Sequence, residues 1–156
     1  MGRRQSLSMF VAGFVITLLT AAAPLTNNVT ATYTASTNTL NLSGDAWNNT
    51  VTMISQNGAI TLTGSNGTKI NGLASWSFNH TGAINLSGNL GDGNDSLSIS
   101  NSTVYIPLLQ LGPGSDTFIL TSSNVAINTL DGGPGSDTFV IKGGGSLSIK
   151  AFLGFP

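Results

Sequence analysis

The residues Gly133-Pro134-Gly135-Ser136-Asp137 are the third copy of a glycine–aspartate motif, after Gly91-Asp92-Gly93-Asn94-Asp95 and Gly112-Pro113-Gly114-Ser115-Asp116. Each copy begins 21 residues after the one before it, and each precedes a small polar residue and a large apolar one. A fixed period of this length is typical of repeats that stack, because a single repeat cannot bury its own apolar face. Stacking places one aspartate from each repeat in a row, and such a row of like charges indicates a bound cation.

The residues after each motif alternate between apolar and polar. With the first glycine as position 1, apolar side chains recur at positions 7 and 9 in all three copies, and at 14 and 16 in the first two. In the third copy the second apolar pair is shifted by one residue, to Leu147 and Ile149. Alternation predicts strands with one face inward, so each repeat has two short strands and two turns. Stacking then forms an internal ladder at position 7, of Leu97, Phe118 and Phe139.

The earlier part of the chain has the same rhythm with a looser period. An apolar–polar–apolar–hydroxyl–glycine sequence occurs at residues 40–44, 60–64 and 84–88, and we interpret each as one strand of a further repeat. Residues 44–51 are similar to the motif, with Asn49 in place of the aspartate and one residue inserted. Asparagine supplies an oxygen but no charge, so a third ion at this copy is an alternative rather than the expectation.

The composition excludes several classes of protein. All six acidic residues are aspartate, and there is no glutamate or cysteine, which disfavours helices and excludes disulfides and thiolate metal sites. The net charge is −1, and no basic cluster follows Arg3-Arg4, so we expect no nucleic-acid partner. His80 is the sole histidine and is expected to be exposed. No Gly-x-Ser-x-Gly motif surrounds a serine, so we predict that the chain is not an enzyme.

Residues 1–23 have the parts of a secretory signal peptide: Arg3-Arg4, an apolar run at residues 9–23, and a small-residue cleavage site. The run is shorter than the roughly 20 residues that span a bilayer, so we predict that it forms a signal helix and is removed. An uncleaved anchor is the alternative. The mature protein is expected to be secreted or at the cell surface, without stable membrane insertion. Residues 24–38 are predicted to be an initial strand or a linker, and residues 39–156 a β-solenoid.

Residues 130–140 resemble the haemolysin-type (RTX) calcium-binding nonapeptide, G-G-x-G-x-D-x-U-x, in which U is a large apolar residue. The resemblance covers residues 84–142 well and implies calcium-binding repeats at 88–142. It implies an all-β fold, a right-handed parallel β-helix or β-roll of about 21-residue coils, with calcium between turns that lie above one another. Three motifs leave two gaps, so about two Ca²⁺ ions are expected.

The chemistry of the motif agrees with this resemblance. Calcium takes six to eight oxygen ligands, both carboxylates and carbonyls, and glycine allows a tight turn to aim its carbonyls at an ion. Leu90 and Leu111 replace the first glycine of the nonapeptide, which Gly132 retains. A bulky residue disfavours positive φ, so we expect the first two turns to be distorted and to bind more weakly. The predicted metal ligands are Gly91, Gly93, Asp95, Gly112, Gly114, Asp116, Gly133, Gly135 and Asp137.

The sequence thus predicts a calcium-stabilised structural or binding module with a cell-surface or matrix partner of unknown identity. One alternative is an adhesive or ice-binding solenoid that acts through its outer face, as the Thr50/Thr52 and Thr61/Thr63 pairs suggest. Another is a fragment of a larger RTX-type exoprotein. The apolar residues 151–156 either fold over the last coil or mark a truncation. Trp47 and Trp76 are expected to plug the ends of the core.

Overall fold

A computed structural model describes residues 27–155 of the chain. These residues contain strands and turns but no helix, so the prediction of an all-β fold is confirmed. Consequently, no helix capable of crossing a membrane occurs in this part of the chain. The predicted signal peptide lies outside the described residues. The strands are β1 (Asn28–Thr34), β2 (Thr39–Ser43), β3 (Thr50–Gln56), β4 (Ala59–Ser65), β5 (Lys69–Ile70), β6 (Ser75–Asn79), β7 (Ile84–Asn89), β8 (Ser96–Ser100), β9 (Thr103–Ile106), β10 (Leu109–Gln110), β11 (Thr117–Thr121), β12 (Asn124–Asp131), β13 (Thr138–Lys142) and β14 (Leu147–Leu153).

The strands form two mixed sheets. The six-stranded sheet has the order β13-β11-β8-β3-β4-β6, and the eight-stranded sheet has the order β10-β12-β9-β7-β2-β1-β5 with β14 beside β12. The 21-residue period is a parallel register, since Leu97 pairs with Phe118 and Phe118 with Phe139. The Phe118 and Phe139 rings stack with their centroids 5.6 Å apart. The predicted internal ladder is therefore confirmed, as is the one-residue shift that pairs Val125 with Leu147.

The N-terminal half departs from the predicted succession of equivalent strands. β2 pairs in parallel with β7 and β3 with β8, both at an offset of 46 residues. The chain between them runs antiparallel, with β4 against β3 and β6 against β4. The prediction that residues 60–64 are one strand of a further repeat is therefore wrong. The physical cause is the Asn57-Gly58 turn, whose φ angles of 54° and 77° are those of a two-residue hairpin that reverses the chain.

The core lies between the two sheets and is covered at both ends by aromatic side chains. Its buried residues come from both sheets, among them Leu40 of β2 and Met53 of β3. At one end the Phe78 ring stacks on the Tyr33 ring with their centroids 4.0 Å apart, and the Trp76 ring centroid lies 5.0 Å from that of Phe78. The prediction that Trp76 covers an end of the core is therefore confirmed. Trp47 is 49% exposed, so the same prediction for Trp47 is wrong.

The opposite end of the core is covered by the last described residues. β14 continues the parallel pairing beside β12, and Phe152 pairs with Leu130. The Phe152 and Phe155 rings lie 5.3 and 6.5 Å from the ring of Phe139. The apolar tail therefore folds over the last repeat, the first of the two predicted alternatives.

Candidate metal centre

The three glycine–aspartate turns precede β8, β11 and β13 and lie directly above one another. Their glycines all have positive φ, from 89° at Gly133 to 156° at Gly114. A Cβ on any of them would collide with the backbone of the preceding turn, as a Cβ on Gly112 would collide with the Gly91 carbonyl. Glycine is therefore needed for both backbone conformation and close approach. The six glycines concerned are Gly91, Gly93, Gly112, Gly114, Gly133 and Gly135.

A fourth turn belongs to the same stack. The pairing of Thr50 with Ser96 aligns residues 45–49 with residues 91–95, so this copy begins at Asp45 and contains no inserted residue. The predicted start at Gly44 is therefore wrong, whereas Asn49 does occupy the aspartate position. We call the four turns levels 1 to 4: residues 45–49, 91–95, 112–116 and 133–137.

The aspartate column consists of Asp95, Asp116 and Asp137, which are 2%, 1% and 4% exposed. One oxygen of each, Oδ1, accepts a hydrogen bond from the backbone N–H at the same position one level earlier. The Asn49 N–H donates to Asp95 at 2.7 Å, the Asp95 N–H to Asp116 at 2.6 Å, and the Asp116 N–H to Asp137 at 2.9 Å. Each carboxylate thus links two levels by a buried, charge-assisted hydrogen bond.

The other carboxylate oxygens of the column, the three Oδ2 atoms, are buried without any hydrogen-bond partner. Leaving an ionised oxygen buried and unpaired is costly. Burial first, and then the charge of Asp116, raise the pKa of Asp95 from 3.8 to about 7, against the lowering effect of its hydrogen bond from Asn49. Burial, and then the charge of Asp137, raise the pKa of Asp116 to about 6. Ionising the column near neutral pH is therefore costly unless a counter-charge is present.

The oxygen atoms around the column are chemically suited to a hard cation. Among residues 27–155 no group of three or more His, Cys, Asp or Glu side chains could hold a metal ion, so backbone oxygens would have to complete any site. The turns contain carbonyl oxygens of this kind, since those of Gly91 and Gly93 lie close against the glycines of level 3. Carboxylate and carbonyl oxygens together suit calcium, magnesium or manganese. The kinds of oxygen donor in these turns therefore suit the predicted ion.

Leu90 and Leu111 do not distort the first two motif turns. Neither residue has positive φ, and the φ of Gly132 at the equivalent position also lies outside that region. Both leucines are fully buried. The prediction of distorted turns is wrong because it assumed a left-handed conformation that this position does not adopt.

A second ladder of hydrogen bonds, which was not predicted from the sequence, runs beside the aspartate column. The Asn94 N–H donates to Asn48 Oδ1, and the Ser115 N–H donates to Asn94 Oδ1, each at 2.8 Å. The signal for this ladder was asparagine immediately before the aspartate position in levels 1 and 2. The short asparagine side chain bridges successive levels just as the aspartates do.

His80 is partly buried rather than exposed. Its Nε2 lies 3.2 Å from Ser55 Oγ, and its Nδ1 lies 3.1 Å from the Gly82 carbonyl oxygen. These contacts join the end of β3 to the segment that follows β6.

No family model, curated protein or solved structure matches this chain. The functional interpretation therefore depends on the motif and on the geometry of the aspartate column.

Proposed function

We propose that this chain is a secreted calcium-binding repeat protein, in which Ca²⁺ between stacked glycine–aspartate turns stabilises a right-handed β-roll of about 21-residue coils. The observation that carries the proposal is the aspartate column with its three buried, unpartnered oxygens. We propose a structural or surface-binding role without enzymatic activity, with a cell-surface or matrix partner. Calcium titration distinguishes carboxylates that bind calcium from carboxyl groups that are simply protonated.

Two ions are proposed, one in each gap between levels that carry an aspartate. The first would be held by the turns of levels 2 and 3, and the second by those of levels 3 and 4. Bound calcium would supply positive charge to the carboxylate oxygens that have no other partner. Asp116 belongs to both proposed sites. The proposed ligating residues are Gly91, Gly93 and Asp95 in level 2, Gly112, Gly114 and Asp116 in level 3, and Gly133, Gly135 and Asp137 in level 4.

The stabilisation expected from the ions follows from the spacing of the levels. Paired strands lie about 4.8 Å apart, and two carboxylates at about 5 Å repel by roughly 3 kcal/mol at an effective dielectric constant of 20. Without a counter-ion this repulsion opposes stacking. An ion that binds only the folded stack stabilises it by mass action, which suits an exported chain with no cysteine.

Calcium titration of the purified protein tests the proposal. We expect calorimetry to give about two ions per chain, and the melting temperature to rise between EDTA and calcium. Magnesium at the same concentration should act more weakly, because it demands a smaller, more regular site. An unchanged melting temperature up to about 1 mM calcium, where extracellular modules bind, would reject the proposal.

The outward face of the six-stranded sheet favours a second candidate function, adhesion or ice binding through that face. Thr52 pairs with Thr63, and the same row continues to Ser98. Cross-strand rows of this kind are mostly serine and threonine. The rows are Ser65, Thr50, Ser96, Thr117 and Thr138; Ser75, Thr63, Thr52, Ser98, Ile119 and Val140; and Ser77, Thr61, Ile54, Ser100, Thr121 and Lys142.

These rows repeat in two directions, about 4.8 Å between strands and about 6.7 Å along them. Hydroxyl groups both donate and accept hydrogen bonds, so the face suits a neutral, periodic ligand surface. Inhibition of ice recrystallisation tests this candidate. Ser98→Tyr in the central row should abolish the effect, while Ala126→Tyr on the exposed face of the other sheet should not. Equal activity of the two variants, or none in the wild type, would exclude it.

A further inference from the structure

We infer that in level 1 the side-chain amide of Asn49 takes the place of the ion proposed for the other levels. The N-terminal part of the stack then folds without calcium and acts as a seed, meaning the folded part on which the calcium-dependent levels assemble. This inference rests on the proposed calcium-binding function, which it deepens by assigning different roles to the levels. Level 1 is the one level in which the residue at the aspartate position, Asn49, is not an aspartate.

The Asn49 amide nitrogen faces three oxygen atoms. Nδ2 lies 2.8 Å from the Trp47 carbonyl oxygen, 3.2 Å from the Leu90 carbonyl oxygen and 3.3 Å from Asp45 Oδ1. Asn49 is fully buried, so these contacts are shielded from water. Three acceptors around one nitrogen also fix the orientation of the amide, because its oxygen could not donate to them.

This nitrogen takes the place that a carboxylate oxygen takes in the aspartate column. A Cβ built on Gly44, which directly precedes level 1, would meet Asn49 Nδ2 at 2.9 Å, and a Cβ built on the equivalent Gly132 would collide with Asp137 Oδ2. Asn49 Nδ2 is hydrogen-bonded, whereas Asp137 Oδ2 has no partner. Asparagine and aspartate have the same shape, but at this atom one is a donor and the other an acceptor.

The consequence is that level 1 has no buried, unpaired charge of the kind found in levels 2 to 4, although the neutral Oδ1 of Asn49 is itself buried without a partner. An oxygen beside other oxygens requires a proton or a metal ion between them, while an amide N–H₂ group supplies the hydrogens itself. The carboxylate of Asp45 is also satisfied without an ion. Its Oδ2 accepts from the Asn28 N–H at 2.7 Å, and its Oδ1 from the Trp47 N–H at 3.0 Å.

The surrounding structure agrees with a seed at this end. Level 1 is flanked by the antiparallel pairs β1–β2, β3–β4 and β4–β6, whose contacts are local in sequence and carry a low closure cost. Levels 3 and 4 have only parallel neighbours, and each of these levels adds one more buried carboxylate. We therefore expect the stack to assemble from level 1 toward level 4 as calcium binds.

Asn49→Asp in the full-length protein tests this inference, with Asn94→Asp as a matched control. The control makes the same change at an exposed site and keeps the oxygen that accepts from Ser115. In EDTA we expect Asn49→Asp to lower the melting temperature by at least 5 °C and Asn94→Asp to shift it by less than 2 °C. In calcium, Asn49→Asp should recover and bind three ions where the wild type binds two.

The possible outcomes distinguish this inference from the proposed function. If the wild type binds two ions but Asn49→Asp also binds two and melts normally in EDTA, the inference is overturned and the calcium function stands. If the wild type binds none, the calcium function fails, and the melting temperatures in EDTA alone decide whether the amide closes level 1.

Hydrogen exchange and a reverse substitution keep the inference testable if Asn49→Asp does not fold. In EDTA, wild-type β2 and β3 should exchange at least tenfold more slowly than β11 and β13, and calcium should remove that difference. Asp95→Asn should place an amide in level 2, raise the melting temperature in EDTA and reduce the number of bound ions from two to one. Uniform exchange in EDTA, or an Asp95→Asn variant that still binds two ions, would contradict the seed.

Discussion

The substitution Asp116→Asn separates the two opposing effects of the aspartate column. It keeps Oδ1, which accepts from the Asp95 N–H at 2.6 Å, and replaces the unpartnered, buried Oδ2 with an amide nitrogen. The variant should therefore be more stable than the wild type without calcium and should lose the response to calcium. Asp116→Ala would not give this separation, because it also removes a buried hydrogen bond.

The size of the effect follows from the pKa of Asp116, which burial and the Asp137 charge raise from 3.8 to about 6. At pH 7.5 the folded protein ionises this group at a cost of about 1.4 kcal/mol per pKa unit, or about 3 kcal/mol in total. Removing that cost should raise the melting temperature in EDTA by about 10 °C for a domain of this size. With calcium, the variant should bind no ions where the wild type binds two.

Melting curves in EDTA and in calcium, with ion counting by calorimetry, measure both effects. Asp92→Asn is the matched control, since Asp92 is exposed in the same run of turns and should change neither quantity appreciably. An Asp116→Asn protein that melts below the wild type in EDTA, or that still binds two ions, would refute the reasoning.

Three further predictions concern pH, the turns and the core. The raised pKa values of Asp95 and Asp116 favour the protonated carboxyl groups in the folded state. The melting temperature in EDTA should therefore be highest below about pH 4 and fall as the pH rises to about 7. Saturating calcium should remove this decline, and a melting temperature in EDTA that does not vary with pH would contradict the prediction. In Gly114→Ala the new Cβ would collide with a backbone carbonyl, and the residue would have to keep a φ of 156°. This variant should lose several kcal/mol of unfolding free energy in urea, whereas Gly144→Ala, with open space around it, should lose less than about 1 kcal/mol. Equal losses would show that the turns are not tightly stacked. Phe118→Ala should lose about 3–5 kcal/mol, because Phe118 is fully buried, and Phe152→Ala, 41% exposed, should lose less.

Much of the repeat region could be predicted because its signals are local. The 21-residue period predicted the pairing of Leu97, Phe118 and Phe139, and the positions of Leu147 and Ile149 predicted the one-residue shift in β14. Alternating side chains on an extended chain necessarily point to opposite faces. Residues that are 21 positions apart in the sequence therefore occupy equivalent positions in neighbouring levels of the stack.

The N-terminal half was predicted less well because its spacing in sequence is not its spacing in the structure. Residues 60–64 resemble a repeat strand, but the Asn57-Gly58 turn folds them back against β3. The Asn57-Gly58 pair is a sequence signal for a two-residue hairpin. The prediction followed instead the 20-residue spacing between residues 40–44 and 60–64, which is close to the 21-residue period. With residues 57–83 folded aside, level 1 stacks on level 2 across 46 residues.

The sequence by itself determined where the turns, glycines and aspartates recur, because period and backbone conformation depend on neighbouring residues. Only the tertiary structure decided which atoms of those residues lack partners. One oxygen of each aspartate in the column binds a backbone N–H, and the other is left buried and alone. It also decided that Asn49 satisfies the same position with an amide. Hydrogen bonding and burial depend on what packs above and below each level, and those neighbours are 21 or 46 residues away along the chain.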